Sequence, residues 1–133
     1  MDPTQLLHTS MPLCATLGIT ASEASTDRIV AHLGWRPELC TSGGLLHGGA
    51  LMALADAAGG ACAFLNLPEG ATGTSTIESK TNFLGAVREG ASVTATATPL
   101  HRGRTTIVVE TELRVDGRLV GKTTQTQSVL RPT

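Results

Sequence analysis

The sequence has no tyrosine, one tryptophan and two phenylalanines. That is too few rings for a base-stacking platform. Charge is scarce as well. Charged residues make up 16%, and ten Lys and Arg against eleven Asp and Glu leave a net charge of −1. Without a basic excess to neutralise phosphates, no nucleic-acid partner is expected. The three cysteines, Cys14, Cys40 and Cys62, are odd in number, widely spaced and without a CxxC pair. Neither a disulfide framework nor a zinc site is expected from them. His8, His32, His47 and His101 show no HxxxH spacing, so no metal is expected there either. No long apolar run is present. Ala50 to Leu67 is nearly uncharged, but it is rich in Ala and Gly and is interrupted by Asp56, so no membrane span is expected. No basic stretch leads into an apolar one near Met1, which points to a reduced, cytoplasmic setting.

What remains fits one domain over residues 1–133. Hydrophobic residues are 41% of the chain, and with so few large side chains the core must be built from Ala, Val, Leu and Ile. A further apolar face is available to a second subunit. Pro3 to Leu17 carries a weak helical pattern limited by Pro12. Ile19 to Ser25 and Arg28 to Trp35 read as short strands around a Thr26-Asp27 turn. Arg36 to Leu46, with Pro37 and Gly43-Gly44, reads as a loop. His47 to Leu65 is the one long helix. It has apolar or small residues on every face, which predicts burial all round. Gly59-Gly60 costs about 1 kcal/mol per Gly inside a helix, so the helix bends there or something packs tightly. Thr72 to Val87, Ala91 to Leu100, Arg104 to Val115 and Arg118 to Leu130 read as strands in a meander. Glu89-Gly90, His101-Arg102-Gly103 and Asp116-Gly117 are the turns between them, and Asp-Gly suits a type I′ hairpin. The expected class is α+β, a curled antiparallel β-sheet wrapped around one long central α-helix.

Two features carry chemistry. Asp56 is the only residue charged at neutral pH between His47 and Glu69. A carboxylate on such a helix either lines a cavity or reaches a polar partner. Gly43-Gly44-Leu45-Leu46-His47-Gly48-Gly49 runs into the helix N-terminus, where free N–H groups and the positive dipole end suit an oxyanion. A flexible loop and a phosphate cradle are the other readings, although GxxxxGK[ST] and GxGxxG are both absent. Asp56 lies nine residues beyond His47, roughly two and a half turns, and the pair is expected to bracket one end of the helix.

The string HGGALMALADAAGG, His47 to Gly60, resembles the hotdog-fold acyl-CoA thioesterases of the phenylacetate-degradation PaaI type and their Arthrobacter-type 4-hydroxybenzoyl-CoA relatives. The likeness runs on through Thr81-Asn82-Phe83-Leu84 to Gly103-Arg104. It implies hydrolysis of acyl-CoA or aryl-CoA thioesters, with Asp56 as nucleophile or general base. It implies that the Gly48 N–H polarises the thioester oxygen and that His47 orients the site. Gly49, Thr74 and Ser75 are its substrate-binding candidates, and Arg102 and Arg104 its candidates for the coenzyme A phosphates. It implies no cofactor, coenzyme A being part of the substrate, and no metal. The acid and the oxyanion donor come from different subunits in such enzymes, so a homodimer is the minimum and a homotetramer is expected. One departure stands out. Thr41 occupies the position, six residues before the motif histidine, where this branch often carries Asn or Gln. That leaves a non-catalytic acyl-CoA-binding protein as the alternative. The motif of hotdog hydratases and dehydratases is not found.

Overall fold

The computed structural model describes every residue from Met1 to Thr133. Two short helices, α1 (Pro3–Ser10) and α2 (Pro12–Leu17), open the chain. Pro3 and Pro12 each start a helix, where a missing N–H costs nothing. Asp2 caps α1 by accepting the Gln5 N–H at 2.9 Å. Thus Pro12 ends one helix and begins another, with Met11 extended between them.

The sheet is built from β1 (Thr20–Ala24), β2 (Ile29–Gly34), β3 (Gly73–Phe83), β4 (Ser92–Arg102), β5 (Thr106–Val115) and β6 (Arg118–Leu130). All pairings are antiparallel, in the order β1-β2-β4-β5-β6-β3. The long helix α3 (Gly48–Phe64) packs on one face and touches β2 to β6. A curled sheet around one helix is the hotdog architecture that the resemblance implies. Alanines let the two layers approach closely. Ala55, Ala58 and Cys62 on the helix and Ala31, Ala95 and Ala97 on the sheet are fully buried among Leu54, Val93, Val109 and Leu113. Each of these larger side chains contributes roughly 1.5–3 kcal/mol by its burial.

The Asp116-Gly117 turn forms as the dipeptide predicts, with φ of 49° and 80° at its two residues. The expected meander forms from β4 through β5 to β6 but does not include β3. β3 pairs with β6 at the sheet edge and not with β4. Residues 84–91 cross the end of the sheet instead. Leu84 and Gly85 donate to the Val120 carbonyl, Val87 accepts from Leu46, and Ala91 accepts from Trp35. Eight extended residues reach about 26 Å, ample for the three strand spacings of roughly 14 Å between β3 and β4. The composition of β3 suits an edge: Thr, Ser, Glu and Lys leave it exposed along most of its length.

α3 also departs from expectation. It is not buried all round. Gly49, Met52, Asp56 and Phe64, spaced at helical intervals, form a stripe exposed in the single chain. No bend occurs at Gly59-Gly60; the helix runs unbroken. Tight packing is the reason for Gly59, since a Cβ there would collide with the side chain of Gln125.

Candidate active site

At its N-terminus, α3 is capped by His47, whose Nδ1 accepts the Gly49 N–H at 2.7 Å. A neutral ring held this way keeps its proton on Nε2, which is left free to donate outward. The Gly48 N–H donates to no group of the chain, and the ring of Phe83, from the end of β3, lies against the Gly48 backbone. The preceding loop is a closed turn. Gly43 and Gly44 take φ of 83° and 77°, Thr41 N–H donates to Leu45 O at 2.9 Å, and His47 N–H donates to Leu39 O at 2.9 Å. Trp35 Nε1–H holds the Gly44 carbonyl at 2.9 Å. These glycines serve the turn. Thr41 is exposed beside it.

Asp56 sits in the middle of α3. Eight residues separate it from Gly48, or roughly 12 Å along the axis. His47 and Asp56 therefore do not bracket one helix end, and one chain does not bring Asp56 and the Gly48 N–H to a single reacting atom. Asp56 Oδ1 accepts from Gln125 Nε2 at 3.1 Å and from Thr76 Oγ1 at 3.3 Å. Thr76 Oγ1 in turn accepts from Gln127 Nε2 at 2.6 Å. Oδ2 has no partner in the chain. Gln125 and Gln127 are 0% and 1% exposed, on the inner face of β6.

Asp56 stands where two cavities meet. The larger, about 420 Å³, lies between α1, α3, β3 and β6 and is lined by Leu6, Leu7, Met11, Gly60, Phe64, Thr74, Thr76 and Gln127 among others. The smaller, about 200 Å³, reaches toward α2 past Met11, Cys14, Ala53 and Ala57. The thiol of Cys14 is pushed up by burial first and by the negative charge of Asp56 second. Burial pushes the Cys62 thiol up to about 11, partly offset by Arg102. Both thiols stay protonated near neutrality and are poor nucleophiles.

The remaining candidates separate. Thr74 lines the larger cavity. Ser75 does not, because adjacent strand residues point to opposite faces; Thr76 takes the inner position in its place. Gly49 is engaged by His47. Arg102 donates to Thr26 O at 3.2 Å, a carbonyl that Asn66, just beyond the C-terminal end of α3, also contacts. Arg104 is exposed on the β4–β5 turn, and its carbonyl accepts from Arg131. No three His, Cys, Asp or Glu side chains gather as a metal-binding group. Gln125 and Gln127 went unread in the sequence. The available signal was the alternation of β6, which places Thr123, Gln125 and Gln127 on one face.

The profile of the Thioesterase superfamily matches residues 43–122, from the glycine turn to β6. The chain belongs to this superfamily. A Bacillus subtilis protein provisionally named as the esterase ComA2 is 38% identical over 96 residues, which cover 72% of this chain and 75% of that protein. Among solved structures, thioesterase HI1161 of Haemophilus influenzae is 32% identical with a TM-score of 0.85, covering 96% of this chain and 87% of that one. A mutant of the phenylacetic acid degradation protein PaaI from Thermus thermophilus is 25% identical with a TM-score of 0.83, covering 90% of this chain and 99% of that one. No helix is long and apolar enough to cross a membrane.

Proposed function

We propose that the protein hydrolyses acyl-CoA or aryl-CoA thioesters, with Asp56 as the reacting carboxylate and the α3 N-terminus of a second copy as the oxyanion hole. The observation that carries this is a carboxylate fixed through one oxygen, with the other free, at the meeting of two largely apolar cavities. A thioester carbonyl must lie about 3 Å from both the carboxylate and the donor that stabilises its oxygen. The roughly 12 Å between Asp56 and Gly48 rules out one chain supplying both. β3 offers an open edge, and Ile77, Phe83, Leu84 and Met52 expose apolar surface along that side. Pairing two copies there would cover it. On this reading the homodimer is the minimal active unit, and pairing of dimers into a homotetramer is part of the same proposal.

In the reaction, Asp56 takes a proton from water as the water oxygen bonds to the carbonyl carbon, or Oδ2 bonds to that carbon directly and water later cleaves the anhydride. The Gly48 N–H holds the negative oxygen. As that oxyanion collapses the C–S bond breaks, giving the free acid on the first route and the Asp56 anhydride, which water then hydrolyses to the acid, on the second. The departing sulfur takes its proton from the protonated Asp56 carboxyl on the first route and from solvent on the second, and leaves as the thiol. The 420 Å³ cavity would take the acyl group, and Arg102 and Arg104 the phosphates of coenzyme A. No other cofactor is required. Thr41, with a hydroxyl in place of the usual amide, favours a second reading, a protein that binds acyl-CoA without turning it over.

Release of free thiol from phenylacetyl-, benzoyl-, 4-hydroxybenzoyl-, hexanoyl- and palmitoyl-CoA, by the wild type and by Asp56→Asn, tests the proposal. Turnover by the wild type that is lost in Asp56→Asn supports it. Acyl-CoA bound without thiol release favours the second reading.

A further inference from the structure

The inner face of β6 carries two costs that packing does not require. Gln125 is completely buried, yet its Oε1 has no hydrogen-bond partner. An apolar side chain of similar volume would fill the space without orphaning an oxygen. Above it, α3 gives up helix propensity by placing Gly59 where any side chain would strike the Gln125 amide. Gly59 follows Asp56 by three residues, so both face the same way. One function accounts for both costs. The missing Cβ lets the Gln125 amide pass beneath the helix, and its Nε2–H then reaches Asp56 Oδ1 at 3.1 Å. The orientation is fixed by chemistry, because a carboxylate oxygen accepts and only the NH₂ end can donate. The orphaned Oε1 is the consequence of turning that end toward Asp56.

From this geometry we infer that Gln125 is a positioning residue for Asp56, admitted by Gly59, and that Oδ2 is the reacting oxygen. Thr76 supplies the second hydrogen bond to Oδ1, and Gln127 holds the Thr76 hydroxyl in place. With both donors on Oδ1, the carboxylate cannot rotate without breaking two bonds, and Oδ2 is left without a partner beside the cavities that Asp56 lines. The inference rests on the reading of Asp56 as the reacting carboxylate.

The test compares wild type, Gln125→Met and Asp56→Asn on the best CoA thioester of the panel, reading kcat, KM and Tm. Gln125→Met keeps the volume, removes the donor and also removes the orphaned oxygen. The expected result is a kcat lower by roughly tenfold to a hundredfold, KM within about twofold and a Tm unchanged or higher. In the Gln125→Ala background, Gly59→Ala should have no further effect on kcat, because the clash it causes is with Gln125 alone. An unchanged kcat per folded molecule in Gln125→Met, or a change confined to KM or Tm, overturns the inference. Asp56→Asn separates the two levels. Turnover that survives Asp56→Asn removes the reading beneath, whereas turnover lost in Asp56→Asn but kept in Gln125→Met removes only the positioning role.

Discussion

β5 and β6 are neighbours of similar length, and each turns every second residue toward α3. On β5 the inward residues are Ile107, Val109, Thr111, Leu113 and Val115; on β6 they include Thr123, Gln125 and Gln127. The burial is alike and the chemistry differs. β5 meets the helix as core that is hydrophobic but for Thr111. β6 meets the helix where Asp56 sits, and its amides are spent on that carboxylate and on the hydroxyl beside it. Alternation sets which residues are buried, while the neighbour across the interface sets what they must be. A run of polar residues on an inner face here marks where the sheet meets a polar group of the helix.

The contrast breaks most sharply at Asp56. Asp56→Asn should lower turnover by about a thousandfold or more while thermal unfolding shifts little, since the amide oxygen can still accept from Gln125 and Thr76. Leu113→Ala, on the core side, should do the reverse. It should cost about 2–5 kcal/mol of stability by chemical denaturation, with kcat per folded molecule unchanged. Thr76→Val lies between the two. It removes one donor to Asp56 and strands the buried Gln127 amide, so kcat should fall severalfold and stability by about 1–3 kcal/mol. The smallest effect is a pH dependence. The Cys62 thiol titrates higher folded than unfolded, at about 11. Its contribution is therefore fully present below the ordinary thiol range, roughly pH 8.5, and is lost as pH rises toward about 11. Cys62→Ala should flatten that part of the alkaline stability profile; an unchanged slope would place the titration elsewhere.

Much of this was legible in the residues. α3, the strand positions and the Asp-Gly turn follow from periodicity and turn chemistry, and Asp56 stood out as the single charge on an apolar helix. The failures have particular causes. The β3–β4 connection was read as a hairpin because Glu89-Gly90 resembles a turn, but Leu84 and Val87 belong to a crossover, and strand order depends on long-range pairing that local signals do not encode. Ser75 and Thr76 are not told apart by sequence because facing is set by register, and a shift of one residue reverses it. Burial of α3 all round is the sequence expectation because Gly, Ala and Met look alike in a core and on an exposed face. Gln125 and Gln127 were passed over because a polar strand residue reads as solvent-facing unless its partner is known.

The central claim is that Asp56 of one chain works against the Gly48 N–H of another. Gly48 is the first residue of α3 and His47 before it is extended, a backbone position that suits proline once the exposed Phe83 ring, 3.1 Å from where a Cβ would sit, turns aside. Gly48→Pro should therefore delete the donor and leave the helix in place. Asp56→Asn and Gly48→Pro should each be inactive alone. Mixed from unfolded chains and refolded, they should recover about a quarter of wild-type turnover, since half the dimers are mixed and each mixed dimer holds one intact site of two. Mixed dimers that form and show no recovery would mean that a single chain supplies both groups, and would contradict the account.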